Sequence, residues 1–277
     1  MRTFDHRHRY DGKLKAVLFD WAGTIVDYGS CAPAAVFIEV FRDRGVEITI
    51  AEAREPMGKA KRDHIESLLA MPRIARAWQE RHDRATRDGD IDALYAEFLP
   101  RQLACLAEHS VLIPGVLPVI DACRRRGMKI GSSTGYVREL MDVVLREARR
   151  QRLEVDAMVC ASDVSQGRPA PWMCLENARR LDVSPMAAIV AVDDTPVGIE
   201  AGVSAGMWTV GVALSGNEMG LTPAAIERLS PVEREQRLER ATARLAEAGA
   251  HFVIGSVADL LPVLDAIEQR LAAGERP

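Results

Sequence analysis

Six short apolar runs recur along the chain with helical patterns between them, and this alternation limits the possible folds more than any other feature. The runs are KAVLFDW (15–21), MKIGSST (128–134), AMVCAS (157–162), AAIVAVDD (187–194), WTVGVAL (208–214) and HFVIGSV (251–257). They are near-continuous in Val, Ile and Ala rather than alternating, which predicts strands buried on both faces of a parallel sheet. Between them, VIDACRRRG ends in basic residues and a glycine, as a helix C-terminus does. YVRELMDVVLREARR carries apolar residues at three- and four-residue spacing. Thr195 can cap a further helix whose first turn holds Pro196. The alternation predicts an α/β fold with a doubly wound parallel sheet.

One interval breaks the pattern. From about residue 30 to 110 no convincing strand occurs; instead come APAAVFIEVFRDRG, a Thr49–Glu52 capping box opening TIAEAREPMG, then KAKRDHIESLLA and IDALYAEFLPRQLACLAEH. A helical block of this length is too large for a crossover. It is expected to form an inserted all-helical cap domain over residues 30–107, leaving 1–29 and 108–277 as the α/β core, with 1–12 a loose polar tail. The 215–250 segment is expected to be helical with a polar surface.

Bulk properties narrow the class. A net charge of −4 gives no basic field for nucleic acid. The apolar stretches are too short for a membrane span, and the polar N-terminus lacks a signal region. Five cysteines without Cys-x-x-Cys argue against a disulfide framework or zinc site and for a cytoplasmic protein. Composition thus fits a soluble intracellular protein of enzymatic size and says nothing about its chemistry.

Ligands bind beyond the carboxyl ends of parallel strands. There the runs end in Asp20, in Ser132-Ser133-Thr134, and in Asp193-Asp194, with Arg168 shortly after the third run. Each alone is an ordinary cap or loop residue. In order along successive strands, they supply a nucleophilic carboxylate, a hydroxyl, a guanidinium and a second carboxylate. This set suits phosphoryl transfer to Asp20, with Mg²⁺ between the carboxylates and Thr134 and Arg168 on the phosphoryl oxygens.

These ordered segments resemble the motifs of the haloacid dehalogenase superfamily, whose core is Rossmann-like. More narrowly, DWAGTIVDYG, EPMGKAKRDH, IGSSTGY, GRPAPWM and AGMWTVGV closely resemble the phosphonatase family, from about residue 13 to the C-terminal helix. The resemblance implies hydrolysis of the carbon–phosphorus bond of phosphonoacetaldehyde to acetaldehyde and phosphate. It further implies Mg²⁺, a homodimer joined through the caps, and a place in 2-aminoethylphosphonate breakdown. The alternative is a phosphate-ester phosphatase or phosphomutase of the same superfamily.

Many phosphatases of that superfamily carry a second aspartate two places after the nucleophile, where this chain has Ala22. There it protonates a leaving alkoxide. A carbon leaving group needs an electron sink instead, which a lysine imine supplies. Ala22 then leaves room for substrate while its backbone carbonyl can face the metal. Lys59 and Lys61 are both candidates on different helix faces; Lys61 shares a face with His64, three residues on. The resemblance also places the imine at Lys61, and the position of His64 beside it predicts a proton relay. Desolvation and a neighbouring Arg62 or Lys59 would lower the pKa of Lys61. Met57 and Gly58 are expected near the substrate, Gly58 letting the backbone approach closely. Tyr136 could contact substrate or pack at a helix start, and Trp21 could line the pocket or belong to the core.

Two departures stand out. Relatives often read Gly-Asp-x-x-x-Asp in the last motif, whereas this chain reads Asp193-Asp194-Thr-Pro-Val-Gly198. Asp194 aligns with the metal ligand, and Asp193 or a water must meet any remaining need. Ser30 stands where some relatives have a cysteine, and Cys31 is expected to pack. His6, His8, His82, His109 and His251 have no partners at metal spacing and are read as structural.

Overall fold

The computed structural model describes residues 10–277, so most of the expected tail, with His6 and His8, lies outside the described residues. Six parallel strands, β1 (Ala16–Phe19), β2 (Lys129–Thr134), β3 (Ala157–Cys160), β4 (Ile189–Asp193), β5 (Trp208–Val212) and β6 (Phe252–Ile254), form one sheet in the order β3-β2-β1-β4-β5-β6. This is the doubly wound α/β fold expected. The apolar runs have no polar face because both sides of the sheet are covered. In β1, Val17 and Phe19 face one core with helices α6 (Val116–Arg125), α7 (Arg138–Arg150) and α12 (Leu260–Ala272). Ala16 and Leu18 face the other, with α8 (Trp172–Leu181) and α9 (Pro196–Ser204). Only edge strand β6 is part-exposed along most of its length.

The remaining core helices are α10 (Pro223–Glu227) and α11 (Pro231–Glu247), the latter opened by a Ser230–Glu233 capping box. The helical expectation for 215–250 therefore holds from residue 223 onward. Residues 215–222 form the loop beyond β5, which becomes important at the site.

Between β1 and α6 the chain folds into five helices: α1 (Cys31–Asp43), α2 (Ile50–Arg54), α3 (Lys61–Ala70), α4 (Pro72–His82) and α5 (Asp88–Leu106). The Thr49–Glu52 capping box opens α2 as expected. These helices bury a cluster of their own, built around Phe37, Phe41, Leu68, Trp78, Leu94 and Phe98. Full burial of each such side chain is worth about 1.5–3 kcal/mol, so this layer has its own source of cohesion. No helix among the described residues is long and apolar enough to cross a membrane.

Candidate active site

Strand register creates the floor of the site. Phe19 pairs with Ser132 on one side and Val192 on the other. Each strand's next residue therefore lies at the carboxyl edge, where Asp20 sits between Ser133 and Asp193. The Asp20 amide continues the ladder by donating to Val192 O at 2.9 Å. This edge lies where the strand order reverses, between β1 and β4, the usual crevice of such sheets.

Arg168 reaches this edge from the loop after β3 and is buried there. Its Nη1 donates to Asp20 Oδ1 at 2.7 Å and Nη2 to Ser133 Oγ at 2.9 Å, while Nη2 also forms an ion pair with Asp193 Oδ2 at 2.9 Å. Burial alone would lower its pKa, but Asp193 and Asp20 hold the guanidinium above its ordinary value. Thr134 lines the same cavity, its Oγ1 accepting from the Tyr136 amide at 3.1 Å.

Asp20, Asp193 and Asp194 are all buried, with ligand atoms within 4.8 Å of one another. Asp193 Oδ1 accepts from the Thr195 amide and hydroxyl, at 3.0 and 2.7 Å. Asp194 Oδ2 accepts from the Asn217 amide at 2.7 Å, and its Oδ1 from Thr24 Oγ1 at 3.3 Å. Burial raises the pKa of Asp20 to about 7, with Asp193 adding to the rise and Arg168 opposing it. Burial, then Asp20 and Asp193, push Asp194 well above the ordinary carboxylate range. The cluster is thus short of positive charge. Hard, crowded oxygen donors of this kind fit a Mg²⁺-sized cation.

The unusual last motif has a steric counterpart. A β-carbon built on Gly198 would lie 2.0 Å from Asp193 Cγ. The Asp193 side chain thus fills the space that a carboxylate at 198 would need.

The helical layer supplies the roof. A cavity of ≈ 290 Å³ lies between it and the floor. Asp20, Ala22, Thr134 and Arg168 line it from below, and Ser30, Pro33, Met57, Gly58 and Lys61 from the helical side. Roof and floor meet through backbone. Gly58 has φ +91°, and a β-carbon there would lie 2.5 Å from Thr195 Oγ1; one on Gly135 would lie 2.5 Å from Lys59 O.

Lys61 is buried, with its Nζ 5.0 Å from the ring centre of Tyr136 and 5.7 Å from that of Phe37. Burial lowers its pKa to about 8; Arg168 contributes, while Asp20 and Asp194 oppose. The expected helpers Arg62 and Lys59 point elsewhere: Arg62 Nε donates to Asp92 at 2.8 Å and Lys59 Nζ to Ser67 Oγ at 3.0 Å. The influential cation comes from the floor instead.

His64 is buried beside Lys61 but is not among the residues lining the cavity. It stacks on Phe37 at 3.8 Å, and its Nε2 lies 2.9 Å from Ala53 O, which places the ring proton there. Nδ1 is buried without a partner. Burial, then the Lys61 charge, hold the pKa of His64 well below its usual value, so the ring is neutral. Tyr136 lines the cavity with a buried, unpartnered hydroxyl. Met57 lines it too, whereas Trp21 belongs to the sheet core. Cys31 packs with its thiol 3.6 Å from Tyr28 O.

Sequence reasoning missed Pro33 and Thr195 as lining residues. It also missed Arg54, whose guanidinium binds Gly29 O at 2.8 Å, Ser30 O at 3.2 Å and Asn217 Oδ1 at 3.0 Å. The available signal was Ser215-Gly216-Asn217, a polar stretch at the carboxyl end of a strand.

This fold and floor define a class, the hydrolases of the haloacid dehalogenase superfamily. A family model described as haloacid dehalogenase-like hydrolase matches residues 14–206. The chain is 49% identical to phosphonoacetaldehyde hydrolase of Paraburkholderia phytofirmans over 264 residues, covering 95% of this chain and 99% of that one. It is 46% identical over 259 residues to the bifunctional phosphonoacetaldehyde hydrolase/aminoethylphosphonate transaminase of Clostridioides difficile, covering 94% of this chain and 41% of the other. The crystal structure of a phosphonoacetaldehyde hydrolase-like protein from Oleispira antarctica matches with a TM-score of 0.96 and 43% identity, covering 100% of both chains. The chain belongs to the phosphonoacetaldehyde hydrolase family of that superfamily, and it is a hydrolase.

Proposed function

We propose that the protein hydrolyses the carbon–phosphorus bond of phosphonoacetaldehyde to acetaldehyde and phosphate. The observation that carries this reading is a single cavity joining Asp20, Arg168 and a buried Lys61 with lowered pKa, where Ala22 offers no acid. An ester leaving group would need that acid. A carbanion needs the lysine.

In the proposed mechanism, Thr134 and Arg168 hold the phosphonate while Met57, Gly58 and Tyr136 enclose the aldehyde end. Neutral Lys61 adds to the carbonyl and loses water to give a protonated imine, with the Nδ1 lone pair of His64 serving as proton relay. Asp20 attacks phosphorus as the carbon–phosphorus electron pair moves into the imine, leaving an enamine and an aspartyl phosphate. One water hydrolyses the aspartyl phosphate. Protonation of the enamine carbon and hydrolysis of the resulting imine release acetaldehyde and restore Lys61. Asp20, Asp194 and the Ala22 carbonyl would hold Mg²⁺, which when bound neutralises charge on the carboxylates and phosphonate.

Residues 30–107 serve in this reading as a cap over the core of 1–29 and 108–277, excluding water during the reaction. The family resemblance supports a homodimer joined through the caps. The relative that bears a transaminase supports a place in 2-aminoethylphosphonate degradation. Five free cysteines support the cytoplasm.

The test is borohydride reduction with phosphonoacetaldehyde, followed by peptide mass spectrometry and an acetaldehyde assay. The expected result is a reduced two-carbon adduct on Lys61, absent from Lys61→Arg, which loses turnover. Turnover with no adduct on Lys61 would overturn the mechanism. Absence of acetaldehyde with Mg²⁺ supplied would overturn the activity.

A further inference from the structure

We infer that Arg54 is a positioning residue that sets the register of the lysine-bearing roof against the carboxylate floor, acting through Asn217. Three observations converge on its side chain. First, one guanidinium binds two separate parts of the chain: the outgoing crossover at Gly29 O and Ser30 O, and the loop beyond β5 at Asn217 Oδ1. Second, Asn217 answers with its own amide, Nδ2 donating to Arg54 O at 3.3 Å, so the contact is a two-way clasp. Third, the backbone N–H of Asn217 is the group that holds Asp194 Oδ2, at 2.7 Å. The loop cannot shift from Arg54 without disturbing the floor.

On its other side, Arg54 closes α2, and the next residues are the roof itself: Met57, Gly58 and then Lys61 at the start of α3. Glu55, the next residue, adds an exposed ion pair with Arg244 of α11 at 3.0 Å, so Arg54 and Glu55 together tie the chain to the core just before the segment that delivers the amine. The loop packs closely enough on the guanidinium that a β-carbon on Gly220 would lie 2.8 Å from Arg54 Nε. One nitrogen, Nη1, makes all three oxygen contacts, while Nη2 lies 3.8 Å from Cys31 Sγ; a lysine could meet some of the oxygens but would lose the flat guanidinium packed under the loop. Arg54 touches none of the reacting atoms, so its effect would pass through the positions of Lys61 and Asp194.

The catalytic consequence rests on the reading of the site given above, whereas the structural consequence does not. The experiment therefore combines amide hydrogen exchange on the full-length protein with steady-state kinetics, for Arg54→Ala, Arg54→Lys, Asn217→Ala and the Arg54→Ala/Asn217→Ala double variant. In Arg54→Ala, exchange at residues 55–61 should rise about tenfold or more while that of α4 and α5 stays at the parent level. kcat should fall about 10–100-fold, the range for groups that orient ligands from behind, with a smaller change in KM. Arg54→Lys should fall between parent and alanine. The double variant should be no worse than about the worse single, because both break one clasp.

Unchanged exchange at 55–61, exchange rising equally through α4 and α5, or losses that multiply in the double variant would each overturn the inference. If Arg54→Ala does not fold, Arg54→Lys carries the same comparison. A parent enzyme inactive on phosphonoacetaldehyde would overturn the functional reading alone, since the exchange pattern would still decide the clasp.

Discussion

In the proposed mechanism, burial turns a common side chain, Lys61, into a reagent. An exposed lysine at neutral pH is almost wholly protonated and cannot attack a carbonyl. With a pKa lowered to about 8 by burial, the amine is free over the upper part of the neutral range. The sign of the pH dependence follows. Below about 8 the nucleophile is lost tenfold per pH unit, so kcat/KM should rise with pH and level off near 8. A limb near the ordinary 10.5 would show that this amine is not the titrating group. The floor residues were legible because a parallel strand delivers its next residue to the carboxyl edge, so Asp20 and the Asp193-Asp194 pair could be placed from pattern, with Asp194 singled out by the family resemblance. The position of Lys61 over Lys59 was partly legible, from the three-residue spacing to His64. The stacking of His64 behind Phe37 was not, since Phe37 comes from a helix 27 positions earlier whose orientation no local period reveals.

At the scale of elements, the two chain segments that cross between sheet and helices are tied together by one carboxylate. Asp27 has φ +53°, an uncommon left-handed conformation for a residue other than glycine. Its Oδ2 accepts from the Ala32 amide at the start of α1, and its Oδ1 lies 3.0 Å from His109 Nδ1, just beyond α5. The hydrogen bond to Asp27, then the charges of Asp27 and Glu108, raise the pKa of His109, with burial opposing. A raised histidine stabilises the fold fully below its ordinary value of 6.5, and that contribution is lost as pH rises through the folded-state value. His109→Ala should therefore lower the thermal midpoint more at pH 5.5 than at pH 8.5. The side chain is 36% exposed, so the effect should be about 1 kcal/mol or less. Equal losses at both pH values in thermal scans would remove this account. Neither this tie nor the Arg54 clasp was visible in sequence: their partners lie 82 and 163 positions apart, and apart from Arg54 at the end of α2 they sit in loops without periodicity.

For the whole molecule, the proposed cation site predicts that the fold itself responds to a divalent cation. Of the three buried carboxylates, Asp20 and Asp193 pair with Arg168 and Asp194 does not, so a cation that binds only the folded state should raise the thermal midpoint with concentration. Adding Mg²⁺ should raise it, and a chelator should lower it again and stop phosphate release. Asp194→Asn should lose most of the Mg²⁺ response, and an unchanged response in that variant would place the cation elsewhere. The strand order explains why this floor was recognisable and the roof less so. The floor repeats a rule of parallel sheets, whereas the roof depends on how five helices pack among themselves.

The insertion of those helices between β1 and α6 has an evolutionary consequence. In the proposed reading, the residues that grip phosphorus sit at the sheet edge and in its loops, and, Tyr136 apart, those suited to the aldehyde hang from one continuous stretch of chain that leaves and returns nearby. A graft exchanging that stretch could redirect the same phosphorus chemistry to a different leaving group, with the glycine-lined seam at residues 58 and 135 as the surface each new lid must fit.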